Sequence, residues 1–245
     1  MTPAAAPASS RRLTGNRTAC SPANPGTTVM IEHRPDSYLT LGASARAETR
    51  VQRSRFLALV TPVTDEESAR AAISREARRC HDARHVCYAW RLGPGPEFSE
   101  HRNDAGEPAG TAGEPILAAL RRRGLSDCLG IVVRYFGGVK LGTGGLARAY
   151  GEAATAAVAA APERVILLGQ EFDLSLPYAL QKTLRHLLAG RQGRVANETY
   201  GTDVAWRVWL PHSRCAGFVD AVTEATAGQV VPAPGADVPR NGSSQ

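Results

Sequence analysis

The chain has 245 residues, 43% of them hydrophobic and 21% charged, with a formal net charge of +6. That is enough material for two soluble domains, and no apolar run approaches the ~20 residues that a membrane-spanning helix requires. Residues 1–29 hold Arg11, Arg12 and Arg17 and no acid, so the remainder has 26 basic and 23 acidic residues. With a body at only +3, bulk charge carries no nucleic-acid argument, and such a role has to rest on a local patch.

Residues 1–29 are rich in Ala, Pro, Ser and Thr, without apolar periodicity. They read as a disordered tail or as sequence upstream of a true start at Met30. The Arg11-Arg12 pair lacks the apolar segment of an export signal. Five cysteines, an odd number, without such a signal point to reduced thiols and a cytoplasmic protein.

Ser37–Gly42, Ala45–Val51 and Ser54–Val63 read as strands. Thr64 with Glu67 reads as a capping box opening a helix that runs to Arg79. His85–Leu92 (HVCYAWRL) is a strand. Gly93–Ala112 is punctuated by Pro94, Pro96, Pro108 and several glycines, and reads as loop. A helix over Glu114–Arg123 follows, then a buried strand over Asp127–Phe136. Gly145–Ala161 is a helix with nine alanines, stopped by Pro162.

Beyond Pro162 the pattern restarts: strand Val165–Leu176, helix Pro177–Ala189, strands Arg194–Tyr200 and Asp203–Leu210, helix His212–Thr226, and a last strand at Gln229–Val231. This β-α-β-β-α-β order is the ferredoxin-like pattern. The expected organisation is therefore a tail at 1–29, a first domain over 30–162, a second over 163–232, and a disordered tail over 233–245.

The stretch with most chemical content is Arg134–Tyr150, RYFGGVKLGTGGLARAY. Gly137, Gly138, Gly142, Gly144 and Gly145 lie between a strand and a helix start, an arrangement that leaves N–H groups free for an anion. Lys140 is one of only two lysines in the chain, and Arg134, Thr143 and Arg148 stand close in sequence. The loop is not a P-loop, since Leu141 follows the lysine. Gly142, Gly144 and Ala147 satisfy G-x-G-x-x-A, but too far from the strand end for a dinucleotide site, and no strand-ending acid follows. A purely conformational use of the glycines stays open beside an anion site.

Phe98–Pro115, FSEHRNDAGEPAGTAGEP, offers Asp104, Glu107 and Thr111, residues equally at home in turns and caps. Ser99, His101 and Asp104 are too close in one loop for a triad, and there is no G-x-S-x-G elbow. Cys80, His81, His85 and Cys87 match no common zinc spacing and read as a packed strand end. In the second domain Val204, Trp206, Val208 and Leu210 should face the core. Arg207 and Trp209 should face an open sheet surface, with Trp209 available for a base to stack on.

The motifs HVCYAW at His85–Trp90, NDAGEPAGTAGEP at Asn103–Pro115, and Arg134–Tyr150 resemble the IMPACT N-terminal domain family, in its bacterial, YigZ-type two-domain branch. The resemblance implies a ribosomal protein S5 domain 2-like fold for the first domain and a ferredoxin-like fold for the second, an α+β protein throughout. It also implies regulation of translation, since eukaryotic members restrain the amino-acid-starvation kinase by competing for its activating partner. It implies no catalytic residue, no cofactor and no metal. Members commonly carry two adjacent acids before Gly-Glu-Pro. Here the second is Ala105, which weakens a two-carboxylate metal role.

The expected activity is thus a non-enzymatic binding protein. Its anion site would comprise Arg134, Gly137, Gly138, Lys140, Gly142, Thr143, Gly144, Gly145 and Arg148. Its partner or ligand face would comprise His85, Tyr88, Asp104, Glu107, Thr111, Tyr135 and Tyr150. The partner would be the ribosome, RNA or a translation-associated protein, with no membrane association and no DNA specificity. The alternative is an enzyme or sensor holding a phosphorylated small molecule at the glycine loop. Oligomeric state is left open.

Overall fold

A computed structural model describes residues 34–94 and 98–241. The expectations for 1–29 and for 242–245 lie outside the described residues. The chain is mixed α+β, and the described residues form three sheets. Among the described residues no helix is long and apolar enough to cross a membrane.

The first half is built on five antiparallel strands: β2 (Ala45–Val51), β3 (Ser54–Pro62), β4 (His85–Leu92), β5 (Ser99–Asn103) and β6 (Cys128–Tyr135). Their order in the sheet is β2-β3-β6-β4-β5. Helices α2 (Gly113–Arg122) and α3 (Gly142–Ala160) cover one face, packing Ile116, Leu120, Ala149 and Ala153 on Phe56, Ala58, Cys87 and Val132. Helix α1 (Glu66–Arg79) covers the other, over Leu59, Trp90, Leu129, Ile131 and Val133. Central β6 is therefore buried on both faces, which explains its unbroken apolar run. At its centre a Cβ on Gly130 would come within 2.8 Å of Ile116, so glycine lets α2 settle against the strand.

The second half holds β8 (Gly169–Leu176), a 3₁₀ turn at Tyr178–Leu180, α4 (Gln181–Gly190), β9 (Arg194–Tyr200), β10 (Val204–Pro211), α5 (His212–Cys215), α6 (Phe218–Ala225) and β11 (Ala233–Asp237). The sheet is antiparallel in the order β11-β8-β10-β9. Phe172, Leu174, Val204, Trp206 and Val208 meet Leu184, Leu188, Phe218 and Val222 in its core. Fully burying each such side chain stabilises by roughly 1.5–3 kcal/mol.

Several elements depart from the sequence expectation. The single strand over 165–176 is two: β7 (Glu163–Leu167) pairs with β1 (Ser37–Leu41), and β8 starts a separate sheet after Leu168. Residues 233–241, expected to be a loose tail, form β11 and β12 (Arg240–Asn241), and the strand expected at 229–231 lies instead at 233–237, as β11. Backbone pairing to β8 and β7 orders this segment, not apolar side chains. The single helix over 212–226 breaks at Gly217, whose φ of 65° is left-handed. Helix α1 is capped by a reciprocal Asp65–Ser68 pair instead of Thr64 and Glu67. Helix α3 starts at Gly142, three residues earlier than read, which places Gly142, Thr143, Gly144 and Gly145 inside its first turn.

Candidate functional site

The loop between β6 and α3 is held by its glycines for different reasons. A Cβ on Gly137 would overlap the Arg53 backbone in the β2–β3 turn, and the Gly137 N–H donates to Ser54 Oγ at 3.3 Å. Gly138 (φ 86°) and Gly142 (φ 67°) adopt left-handed backbone that other residues resist. A Cβ on Gly145 would sit 3.2 Å from Leu141 Cβ, a tight fit. Gly144 is unlike the rest: its φ is ordinary and a Cβ there would meet nothing within 4 Å. Its missing side chain serves neither the turn nor the packing.

No side chain caps the α3 N-terminus, where Gly142, Thr143 and Gly144 are exposed. Lys140 is exposed two residues before it and Arg53 is exposed against Gly137, and among the described residues neither has a carboxylate within ion-pair distance. The Arg53 Cβ faces Gly137, so both cations border one loop. Phe136 is 56% exposed and Val139 39% exposed on the same loop. No acid occurs between Asp127 and Glu152. The surface is cationic and partly apolar.

Beneath it lies a buried polar network. Arg134 Nη1 donates to Glu107 Oε1 at 2.8 Å, with the two side chains only 7% and 5% exposed. The Tyr150 hydroxyl donates to the same Oε1 at 2.9 Å and accepts from the Cys87 thiol at 3.5 Å. Arg134 Nε is buried without a partner. The guanidinium carbon stands 5.8 Å from the Phe56 ring centre and 5.4 Å from that of Phe136. Arg134 is thus not the free loop cation that its sequence position suggests. Its charge is already matched by Glu107.

Asp104 organises the neighbouring loop, accepting from the N–H groups of Gly110, Ala112 and Gly113 at 2.8–2.9 Å. Burial pushes its carboxyl up, but these donors outweigh it and hold the group below its ordinary value. Thr111 is buried and donates to Pro108 O, while His85 Nδ1 bonds Ala105 O at 2.9 Å. Burial, more than any neighbour, pushes the Cys87 thiol up to about 12 and drives the Tyr150 hydroxyl far above its ordinary value. Cys87 therefore stays a protonated thiol at neutral pH and is no nucleophile.

Residues expected on the partner or ligand face fall on both sides of the sheet. Tyr88 lies on the α1 side of the sheet, stacked on Trp90, and Tyr135 lies there too, its hydroxyl donating to Asp82. His85, Cys87 and Arg134 point to the opposite side, because neighbouring strand residues alternate. Arg148 lines a shallow groove between α2 and α3 with Pro115, Arg122 and Gly151, one helical turn beyond Gly144. Cys80 and Cys87 fall in cores on opposite faces and cannot share a metal. Arg53 was not foreseen: only the contact with Gly137 brings it to the loop.

The second expected contact also moves. Trp209 is 1% exposed, its indole N–H donating to Val238 O at 3.0 Å and its ring flanked by Arg194 and Arg240. The ordered 233–241 segment covers it, so no base can stack there. Trp206 is in the core as expected.

The conformational glycines, the Asp104-centred loop and the buried Arg134–Glu107 pair fall within a match to the Impact N-terminal domain over residues 52–158. The chain belongs to the IMPACT family. Residues 174–229 match a domain of unknown function, DUF1949. The chain is 33% identical to the IMPACT family member YigZ of Escherichia coli (strain K12), over 80% of this chain and 96% of that protein. It is 38% identical to an IMPACT family member of Thermus thermophilus, over 74% and 97%. A solved structure titled as the crystal structure of an hypothetical protein superposes with a TM-score of 0.56 at 32% identity, covering 81% of this chain and 97% of that one.

Proposed function

We propose that this protein is a non-enzymatic, cytoplasmic RNA-binding protein linked to translation, whose glycine loop holds RNA phosphate. The observation that carries this reading is the pairing of unmatched cations, Lys140 and Arg53, with the uncapped, exposed first turn of α3. Exposed N–H groups at a helix start and a compact ammonium are suited to phosphate oxygens. Gly144 supports it, because a bare backbone with nothing near it permits close approach of a ligand.

The same reading takes the first domain as S5 domain 2-like and the second as ferredoxin-like. The β11-β8-β10-β9 order supports the latter. The test is a gel shift with RNA and co-sedimentation with ribosomes at low salt, where phosphate contacts are strongest. Binding that Lys140→Ala weakens supports the proposal. No binding in either assay overturns it, and a thermal shift with one phosphorylated metabolite in place of RNA would favour the small-molecule alternative.

A further inference from the structure

Phe136 is the largest apolar side chain exposed on the loop, and it is not a loose one. It follows β6 directly, where Tyr135 pairs with Arg55. It precedes Gly137, which is pinned against the Arg53 backbone and bonded to Ser54. The guanidinium of Arg134 lies 5.4 Å from its ring centre and is itself fixed by Glu107 and, through it, by Tyr150. Phe56 packs edge-on to Tyr150 at 5.1 Å and completes the support. The Arg134–Glu107–Tyr150 network thus backs an aromatic residue that remains 56% exposed.

A ring held this way, bordered by unpaired cations and with no acid in the surrounding 128–151 segment, fits an aromatic base beside a phosphate. We infer that Phe136 is a stacking platform for one unpaired base of single-stranded RNA, with the adjoining phosphate taken by Lys140, Arg53 and the α3 first turn. This rests on the RNA-binding reading above and sharpens its ligand. Bases inside a duplex are stacked on their neighbours and offer no face to Phe136, whereas a single strand can splay one out. Arg134, Glu107 and Tyr150 act as positioning residues, through the ring they support and not by touching RNA. Pre-organisation of this kind lowers the ordering cost of binding.

The test uses the full chain and a single-stranded RNA oligonucleotide carrying 2-aminopurine, whose fluorescence is quenched by stacking. Wild type should quench the probe on binding and prefer the single strand to a duplex of the same sequence. Phe136→Leu, at a half-exposed position, should keep the wild-type melting temperature, lose the quenching, and bind the single strand on the order of five- to 150-fold more weakly. Lys140→Ala should weaken binding while leaving quenching at saturation intact. Single-strand affinity and quenching unchanged in Phe136→Leu overturn the platform and leave the RNA reading standing, with Phe136 assigned to a protein contact. Equal affinity of wild type for single strand and duplex also overturns it. No binding by wild type overturns both.

Discussion

Replacing Glu107 by alanine should be among the most damaging single changes in the first half of this protein. Its carboxylate is 5% exposed and accepts two bonds at one oxygen, from Arg134 Nη1 at 2.8 Å and from the Tyr150 hydroxyl at 2.9 Å. Removing it leaves a guanidinium that is 7% exposed, with Nε already unpartnered, and no opposing charge. Leaving one member of a buried ion pair unmatched costs about 3–5 kcal/mol. At roughly 2–4 °C per kcal/mol for a chain of this size, the melting temperature should fall by roughly 6–20 °C. Glu107→Gln keeps an oxygen acceptor and should cost less, about 1–3 kcal/mol. The double variant Glu107→Ala/Arg134→Met removes the stranded charge and should recover much of the loss, because an apolar replacement of both partners is often close to neutral. Urea unfolding of wild type, Glu107→Ala, Arg134→Met and the double variant measures this as a double-mutant cycle. A cost below about 1 kcal/mol for Glu107→Ala, or a double variant no better than the single, would refute the buried pair.

Gly144→Ala should stabilise α3 by about 0.5–1 kcal/mol, since its φ is ordinary and the new Cβ meets nothing, yet weaken RNA binding; melting and gel shift together check the opposed signs. Glu76 is held at about 2, below its ordinary 4.5, chiefly by hydrogen bonds from Arg46, against burial, with Arg79 helping. Because its folded value is depressed, its contribution is full above about 4.5 and is lost as pH falls from there toward 2. Urea midpoints of wild type should therefore drop across that window more steeply than those of Arg46→Ala. Truncation after Pro232 should uncover Trp209, seen as a red shift and new acrylamide quenching, because the residue that accepts its indole N–H, Val238, is removed.

Strands whose two faces differ were legible in the sequence: β10 alternates Val204, Trp206 and Val208 against Ala205 and Arg207, and its core face follows directly. In β6 both faces are apolar, so no alternation marks which side each residue faces. Tyr135 was accordingly placed on one face with His85 and Tyr150, although it lies on the opposite side of the sheet. The strands β11 and β12 escaped for a different reason, being ordered by main-chain pairing that leaves no apolar signature in PAPGAD. The loop was recognisable from its glycines, but what each one does required the fold: Gly137 yields to Arg53, and Gly144 yields to nothing. The neutralisation of Arg134 by a residue 27 positions away was equally out of reach of sequence spacing.

The central claim is that the glycine loop holds RNA phosphate through Lys140. Its most direct test is the salt dependence of single-stranded RNA binding by wild type and Lys140→Ala. Each phosphate contact contributes roughly 0.7 to the slope of log affinity against log salt on a single strand. Wild type should bind measurably at low salt, and the slope should be shallower by about that amount in the variant. Identical slopes, or no binding by wild type at low salt, would contradict it.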